Sequence, residues 1–309
     1  MFKLNQGGLR LFRLFGIDVY LHWMWALVAF FEIQARSASY SSLAWNVAEY
    51  CSLFAIVLTH EFGHALACRS VGGRAERILL WPLGGVAYVQ PPPRPGALLW
   101  SIAAGPLVNV VLLPPTMAAA FFVSRSAGVS PDMAHYFTAL AGINAVILVF
   151  NLLPVYPLDG GQILQALLWF VIGRSRSLMV VAVLGFVAAA AVLVAAVATG
   201  SVWFGVMALF GGLQAVTGMR QARLLARLAA IPRRNGVACP RCGAAPPIGD
   251  LWRCVCGQSF DTFAAGGACP HCGNYFAATP CTECHQPSPH QAYYSSASAG
   301  APSPPEPFA

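Results

Sequence analysis

Long apolar runs separated by short polar segments dominate the first 219 residues of the chain. A helix needs about 20 apolar residues to cross the hydrocarbon core of a bilayer, which is roughly 30 Å thick. Six runs have about that length. They predict transmembrane helices over residues 20–36, 45–69, 97–123, 135–155, 178–198 and 201–219. The fold class that we expect is therefore an all-α polytopic membrane protein with six transmembrane helices.

Three other segments do not fit a membrane-crossing helix. Residues 9–20 alternate in part and contain β-forming side chains, which predicts short strands at the membrane surface. Residues 74–90 are interrupted by proline and glycine and predict a re-entrant hairpin. Such backbone persists at membrane depth only where protein or a wet cavity covers it. Residues 162–172 are apolar but short and predict a partial or interfacial helix.

The composition supports a membrane protein and indicates its orientation. Hydrophobic residues make up 57% of the chain and charged residues only 9%, whereas a soluble domain is about 25% charged. Lys and Arg concentrate on the cytoplasmic side of membrane proteins. With a cytoplasmic N-terminus and six crossings, sixteen of the eighteen basic residues fall inside. We therefore expect both termini to lie in the cytoplasm. The expected location is the plasma membrane of a prokaryotic cell, and no cleaved signal peptide is expected.

The composition changes after the last apolar run. Residues 1–219 are the predicted membrane domain, and residues 220–236 form a basic linker that begins as a helix. Residues 237–286 contain eight cysteines and predict a small tandem zinc-ribbon region. Residues 287–309 are rich in Ser, Pro and Ala, and so small an apolar content predicts a disordered tail.

The most informative motif is His60-Glu61-Phe62-Gly63-His64. On a helix, residues four apart lie on one face, so both imidazoles can bind one metal ion, and Glu61 can accept a proton from water. Ionisable side chains within membrane helices are costly and usually functional. Zinc needs a further protein ligand, and Asp159 is the best candidate because topology places it at a similar depth. The alternative is that Asp159 caps the helix that follows it.

The cysteines of the C-terminal region occur in pairs that are typical of zinc knuckles, at Cys239/Cys242, Cys254/Cys256, Cys269/Cys272 and Cys281/Cys284. Eight thiols make two structural four-thiolate sites, and a cytoplasmic tail argues against disulfides. The first two pairs could share one ion and the last two another, or the second pair could combine with the third. Only two arginines lie among these cysteines, so a protein partner is expected rather than nucleic acid.

The combination of the His60–His64 motif with Leu158-Asp159-Gly160 resembles the site-2 proteases, which are intramembrane zinc metalloproteases. The resemblance covers roughly residues 8–219. Three shorter segments also resemble parts of that family: its entry segment, its re-entrant loop and its third helix, at residues 16–23, 83–86 and 104–109. The tail of cysteine pairs stands where better-known members carry other regulatory domains.

The resemblance implies one catalytic zinc held by His60, His64 and Asp159, with Glu61 as the general base. Asn151 would donate its amide to the oxyanion, or else make a helix–helix hydrogen bond. The hairpin at Gly84 and Gly85 would present a strand edge to an unwound substrate helix, or else form a simple turn. The implied substrate is a membrane protein with a transmembrane helix, embedded in the same lipid bilayer and cut near the cytoplasmic face.

Two other functions fit parts of the sequence. An inactive, membrane-tethered zinc-ribbon adaptor would not need Glu61, and a metal transporter would also place His and Asp within the membrane. His22 is expected to be an interfacial histidine, and Cys68 is expected to pack on the face of its helix rather than to bind metal.

Overall fold

The computed structural model describes residues 8–35, 39–81, 84–284 and 286–298. The chain divides into two compact units, residues 1–223 and residues 224–309. The first unit is built from helices and one small sheet. Its helices are α1 (Met24–Ala35), α2 (Leu43–Ser70), α3 (Pro95–Arg125), α4 (Pro131–Leu152), α5 (Asp159–Ile172), α6 (Arg174–Thr199) and α7 (Val202–Ala229), the last of which continues past the boundary between the units.

Five helices in the described part of the chain are long and apolar enough to cross a membrane: α2, α3, α4, α6 and α7. The sixth predicted span, residues 20–36, is different. A strand occupies its start, and α1 has 12 residues, which rise about 18 Å against a core of about 30 Å. Since residues 36–38 lie outside the described ranges, the sixth crossing stays a prediction. The short apolar helix predicted over residues 162–172 is confirmed as α5, which begins at Asp159.

The predicted strands and the hairpin are confirmed. Strands β1 (Gly8–Leu14), β2 (Ile17–His22), β3 (Arg74–Trp81) and β4 (Gly84–Gln90) form one sheet in the order β1-β2-β3-β4. The pair β2–β3 is parallel, and the two hairpin pairs are antiparallel. Within this sheet β4 pairs only with β3, so it is an edge strand. Whether the hairpin enters the membrane remains a prediction.

The sheet lies against the second half of α2, and the two form an apolar core. Ile17, Val19, Ile78 and Leu80 of the sheet are fully buried there, with Phe62 and Ala65 of α2 and other residues of the cluster. The helix thus turns one face toward the sheet at the level of its histidines. Sheet packing thereby sets the rotation of α2, which decides where its polar side chains point.

Helix α3 packs closely along α2. A Cβ added at Gly63 would come within 2.7 Å of the Ala104 carbonyl oxygen and 2.9 Å of Val108, so only glycine allows this separation. Three prolines inside α3 each remove a backbone hydrogen bond, which favours bending of the helix: Pro106, Pro114 and Pro115. Because the two helices lie so close together, Ser101 and Gly105 of α3 lie next to His64 of α2.

The second unit is small and built mostly of turns. It contains β5 (Trp252–Arg253), β6 (Ser259–Phe260), β7 (Ala278–Pro280), β8 (Pro287–Pro289) and α8 (Ala292–Ser298). The prediction of disorder from residue 287 is wrong as far as Ser298. Tyr293 is 1% exposed in the core of the unit, and the ring of His290 stacks on Phe263 at 5.0 Å. Low apolar content misled the prediction because two aromatic rings are enough to hold this short segment. Residues 299–309 lie outside the described ranges.

A candidate metal centre in the membrane unit and two cysteine clusters in the tail

The three residues of the helical motif lie in the buried part of α2. His60, Glu61 and His64 are 4%, 6% and 5% exposed. The two histidines are one turn apart, and their Nε2 atoms are 3.1 Å from each other. Because α2 packs against both the sheet and α3, the two rings are buried between these elements.

Asp159 completes the cluster from the first turn of α5. Its Oδ2 atom lies 3.1 Å from His60 Nε2 and 3.3 Å from His64 Nε2. The helix cap is Leu158, and no side chain caps the helix, so the alternative that Asp159 serves as a cap is not what the structure shows. The fourth span was predicted over residues 135–155, whereas α4 ends at Leu152 and a short loop leads to Asp159 at the start of α5.

The geometry of these three side chains fits a zinc ion. Ligand atoms bound tetrahedrally at 2.0–2.1 Å are about 3.3 Å apart, close to the observed separations of 3.1–3.3 Å. Each histidine also has a hydrogen-bond partner at its other ring nitrogen. His60 Nδ1 lies 2.5 Å from Asn109 Oδ1, and His64 Nδ1 lies 3.0 Å from the Ser101 carbonyl oxygen. Both acceptors leave Nε2 unprotonated for a metal.

Glu61 is held against β4. Its Oε2 atom accepts a hydrogen bond from the backbone N–H of Ala87 at 2.8 Å. A Cβ added at Gly85 would overlap the carboxylate of Glu61, so the bare backbone of Gly85 provides the space that this group occupies. Gly105 of α3 does the same for His64, since a Cβ there would overlap the imidazole ring. Two glycines therefore define where the reactive side chains can lie.

Asn151 is not joined to the cluster by a hydrogen bond among the described residues. It lies seven residues after Asn144 on α4, hence on the same helix face. Asn144 and Leu148 of that face are buried, and Asn144 contacts Asn109 of α3. Asn151 is thus on the side of α4 that faces the protein, about two turns after Asn144 and closer to the start of α5. Gly84 begins the edge strand beside Gly85, and its surroundings are outside what the structure describes.

Sequence reasoning missed several residues that contact the reactive side chains or hold a residue that does: Ser101, Gly105, Asn109, Asn144 and the backbone of Ala87. The two asparagines could have been found, because polar side chains inside apolar spans are uncommon and usually bonded. The glycines and the backbone groups carried no such signal, since only the packing of α3 and β4 reveals them. Neither of the two residues set aside earlier belongs to the cluster of His60, His64 and Asp159. Cys68 is buried in the core, and the His22 ring stacks on Trp81.

The cysteines of the second unit form two clusters. Within each cluster the four sulfur atoms lie within 4.8 Å of one another: Cys239, Cys242, Cys281 and Cys284 in the outer cluster, and Cys254, Cys256, Cys269 and Cys272 in the inner one. Sulfur–sulfur distances across each cluster are 3.5–3.9 Å, and a tetrahedral site with 2.3 Å bonds requires about 3.8 Å. The structure thus has the nested pairing rather than the sequential one.

The nested pairing follows from how the ends of the tail meet. Ala238 N donates to the Tyr293 carbonyl oxygen at 2.9 Å, and Arg233 Nη2 donates to Glu283 Oε1 at 2.5 Å. These contacts bring the first cysteine pair beside the last. The sequential alternative would need the first pair beside the second, but the contacts of the chain ends hold the first pair against the fourth.

Three of the cysteine pairs are each followed by the same kind of local turn. After each pair a glycine has a positive φ of 73–89°, a conformation that other residues rarely adopt: Gly243, Gly257 and Gly273. Burial opposes ionisation of the first thiol in two of these turns. Backbone amides of the following residues nevertheless donate to the sulfur and lower the pKa of Cys239 and Cys269 to about 7. Each cluster thus contains one thiol that readily becomes the thiolate that metals bind.

Comparison with known proteins gives consistent matches for the first unit. Residues 48–130 and 121–195 match peptidase family M50. The chain is 33% identical over 178 residues to a zinc metalloprotease of Methanocaldococcus jannaschii, covering 58% of this chain and 50% of that one. It is 37% identical over 117 residues to stage IV sporulation protein FB of Bacillus subtilis, covering 36% of this chain and 37% of that one.

A solved structure is also similar. The site-2 protease from Methanocaldococcus jannaschii superposes with a TM-score of 0.51 at 28% sequence identity, covering 69% of this chain and 95% of that chain. The chain spans about half the length of the first curated relatives that it matches. The matched residues include all three side chains of the candidate metal centre and Glu61.

Proposed function

Because the chain belongs to peptidase family M50, the site-2 proteases, we propose that it is an intramembrane zinc metalloendopeptidase. Its substrate is a membrane protein, which it cuts in or near a transmembrane segment close to the cytoplasmic face. One observation carries the proposal. Two histidines of α2 and the distant Asp159 meet at separations that suit one zinc ion, and Glu61 lies next to them.

His60, His64 and Asp159 would hold the zinc ion, which would supply Lewis acidity toward the peptide carbonyl and would lower the pKa of a water molecule. Glu61 takes the proton of the attacking water and returns it to the leaving amine. The Ala87 N–H holds the Glu61 carboxylate in place while it does so. Asn151 faces the same side of α4 as Asn144, and we assign its amide to the oxyanion that develops on the carbonyl.

The free edge of β4 is the proposed substrate-binding element. A helix must unwind before a protease can reach its peptide bonds, and an unwound segment gains backbone hydrogen bonds by pairing with a strand edge. Gly84 and Gly85 begin that edge, and Gly85 lies directly beside Glu61. Pairing there would place a substrate carbonyl next to the general base.

We place both termini in the cytoplasm of a prokaryotic cell, from the distribution of Lys and Arg, with the first unit in the plasma membrane. The eight cysteines of the tail hold two structural zinc ions in the nested arrangement. The tail binds a protein partner or the substrate itself, since it carries few basic residues for nucleic acid. The presence of Glu61 beside the cluster favours an enzyme over an inactive adaptor.

Substitution of the general base tests the proposal. We expect Glu61→Gln, in the full chain reconstituted in liposomes with candidate single-span proteins, to lower the rate of cleavage by about 10²–10⁴-fold, which is the contribution typical of a positioned base. Glu49 is the matched control, because it is equally buried on α2 and bonds to Tyr40 instead. Glu49→Gln should retain cleavage. Equal cleavage by the wild type and Glu61→Gln would remove Glu61 from this role.

The metal content gives an independent prediction. We expect the purified full chain to contain about three zinc ions, one at the membrane site and two in the tail. His60→Ala should reduce the count to two, because a histidine and one carboxylate are too few protein ligands for tight binding. The measurement is elemental analysis after gel filtration in metal-free buffer. An unchanged count in His60→Ala would show that the membrane cluster does not bind zinc.

A further inference from the structure

We infer that Asn109 and Asn144 form an amide relay that fixes the tautomer and the orientation of His60. The inference rests on the proposed function, because His60 is one of the proposed zinc ligands. The relay joins three helices: His60 lies in α2, Asn109 in α3 and Asn144 in α4. Both asparagines are 0% exposed, so no water competes for their hydrogen bonds.

The relay consists of three hydrogen bonds. His60 Nδ1 lies 2.5 Å from Asn109 Oδ1, and Asn109 Nδ2 donates to Asn144 Oδ1 at 2.8 Å. Asn144 Nδ2 in turn donates to the backbone carbonyl oxygen of Asn109 at 3.0 Å. Asn109 thus bonds through its oxygen to His60 and through its nitrogen to Asn144, and Asn144 makes both of its bonds to Asn109, one to the side chain and one to the backbone.

The backbone carbonyl sets the direction of the whole relay. A carbonyl oxygen can only accept, so the nitrogen of the Asn144 amide must face it and the oxygen must face Asn109. That oxygen also can only accept, so the nitrogen of the Asn109 amide must face it. The remaining Asn109 oxygen then faces His60 and requires a proton on Nδ1. His60 therefore keeps the lone pair of Nε2 for a metal. Reversing either amide would place two hydrogen-bond acceptors against each other.

His64 does not depend on side chains in this way. Its Nδ1 donates directly to the Ser101 carbonyl oxygen at 3.0 Å, and a backbone carbonyl cannot rotate. A side-chain amide can rotate, and Asn109 alone would accept either tautomer of His60. Asn144 removes that freedom. The two asparagines are therefore positioning residues, and Asn144 acts on the metal site without touching a ligand of it.

Zinc retention in variants of the full chain tests this inference. The zinc of the membrane site is the ion that His60→Ala removes, and its affinity is measured by competition with a chelator. We expect Asn109→Leu to weaken zinc binding by about 10–100-fold, which is the usual effect of removing the hydrogen-bond partner of a metal-binding histidine. Asn109→Asp keeps an acceptor for Nδ1 and should bind zinc at least as tightly as the wild type. Asn144→Leu should weaken binding by less than Asn109→Leu.

A buried asparagine elsewhere on α2 serves as the control. Asn46 is 6% exposed, and its Oδ1 has no hydrogen-bond partner among the residues described. Asn46→Leu should leave the affinity unchanged. Wild-type affinity in Asn109→Leu, or equal losses in Asn109→Leu and Asn109→Asp, would overturn the relay. Equal losses would indicate that the altered packing at Asn109, and not the loss of an acceptor for His60 Nδ1, weakens zinc binding.

Two further comparisons separate a failure of the relay from a folding defect and from a failure of the proposed function. Thermal unfolding of each variant in detergent shows whether it is folded, and if Asn109→Leu does not fold, the comparison of Asn144→Leu with Asn46→Leu decides. Wild-type affinity in Asn144→Leu would then overturn the inference. Zinc retention requires no substrate. If Glu61→Gln cleaved as fast as the wild type, the proposed peptidase function would fail while the zinc measurements would still decide the relay.

Discussion

Gly85→Ala is expected to reduce the rate of peptide cleavage by about 10²-fold or more, approaching the loss of the general base itself. The methyl group would occupy the space of the Glu61 carboxylate, so either Glu61 or β4 must move. Either movement separates the carboxylate from the Ala87 N–H that holds it. The measurement is the initial rate of cleavage of a reconstituted single-span substrate, with zinc content determined in parallel.

The matched control for this substitution is Gly142→Ala in α4, where an added Cβ would meet nothing within 4 Å. It should leave the rate unchanged. Zinc content should stay the same in both variants, because the two histidines and Asp159 do not depend on the space at Gly85. A wild-type rate in Gly85→Ala would mean that Glu61 does not lie against β4 in the active enzyme. Loss of zinc together with activity would mean that the substitution disrupts the metal site instead.

Removal of zinc from the tail is expected to unfold residues 237–298. Structural zinc contributes about 10–16 kcal/mol in small domains, which is as much as the whole stability of an ordinary domain. The core of the tail is small, and four of its nine buried residues are cysteines of the clusters. A strong chelator should therefore make the tail sensitive to trypsin at Arg241 and Arg253 in the full chain. Resistance at both sites after complete loss of zinc would contradict a metal-dependent fold.

Paired cysteine substitutions distinguish the two arrangements of the tail. Cys239 and Cys281 share the outer cluster, whereas Cys254 belongs to the inner one. We expect Cys239→Ser combined with Cys281→Ser to cost one tail zinc, and Cys239→Ser combined with Cys254→Ser to cost both. Sequential pairing of the cysteines gives the opposite result, since there Cys239 and Cys254 bind the same ion. Elemental analysis of the two double variants, each compared with the wild type, decides between them.

The reactive residues could be identified from the sequence because their chemistry is unusual for their surroundings. Two histidines four residues apart with a glutamate between them are rare, and in an apolar span they indicate function. Asp159 followed from the need for a third ligand and from similar depth in the membrane. The strands at residues 8–22 and the hairpin at 74–90 were also predicted, because alternation, Pro and Gly are local signals.

Contacts between distant segments could not be predicted in the same way. The hairpin was expected to bind substrate, but its contact with Glu61 emerges only when β4 packs beside α2. Asn109 and Asn144 are 35 residues apart, and only the packing of α3 against α4 brings them together. The order from residue 287 to residue 298 was missed because the buried rings of His290 and Tyr293 decide it, and composition averages over such contacts.

The sequence by itself determined that this protein lies in a membrane, that it carries a histidine and carboxylate metal motif, and that its tail has eight thiols in pairs. These properties depend on hydrophobicity and on ligand chemistry, which each residue has wherever it lies. The tertiary structure alone decided which cysteines share a cluster, which tautomer His60 adopts and how much space Glu61 has. Those depend on distances of a few ångströms between segments far apart in the chain, and such distances arise only from close packing.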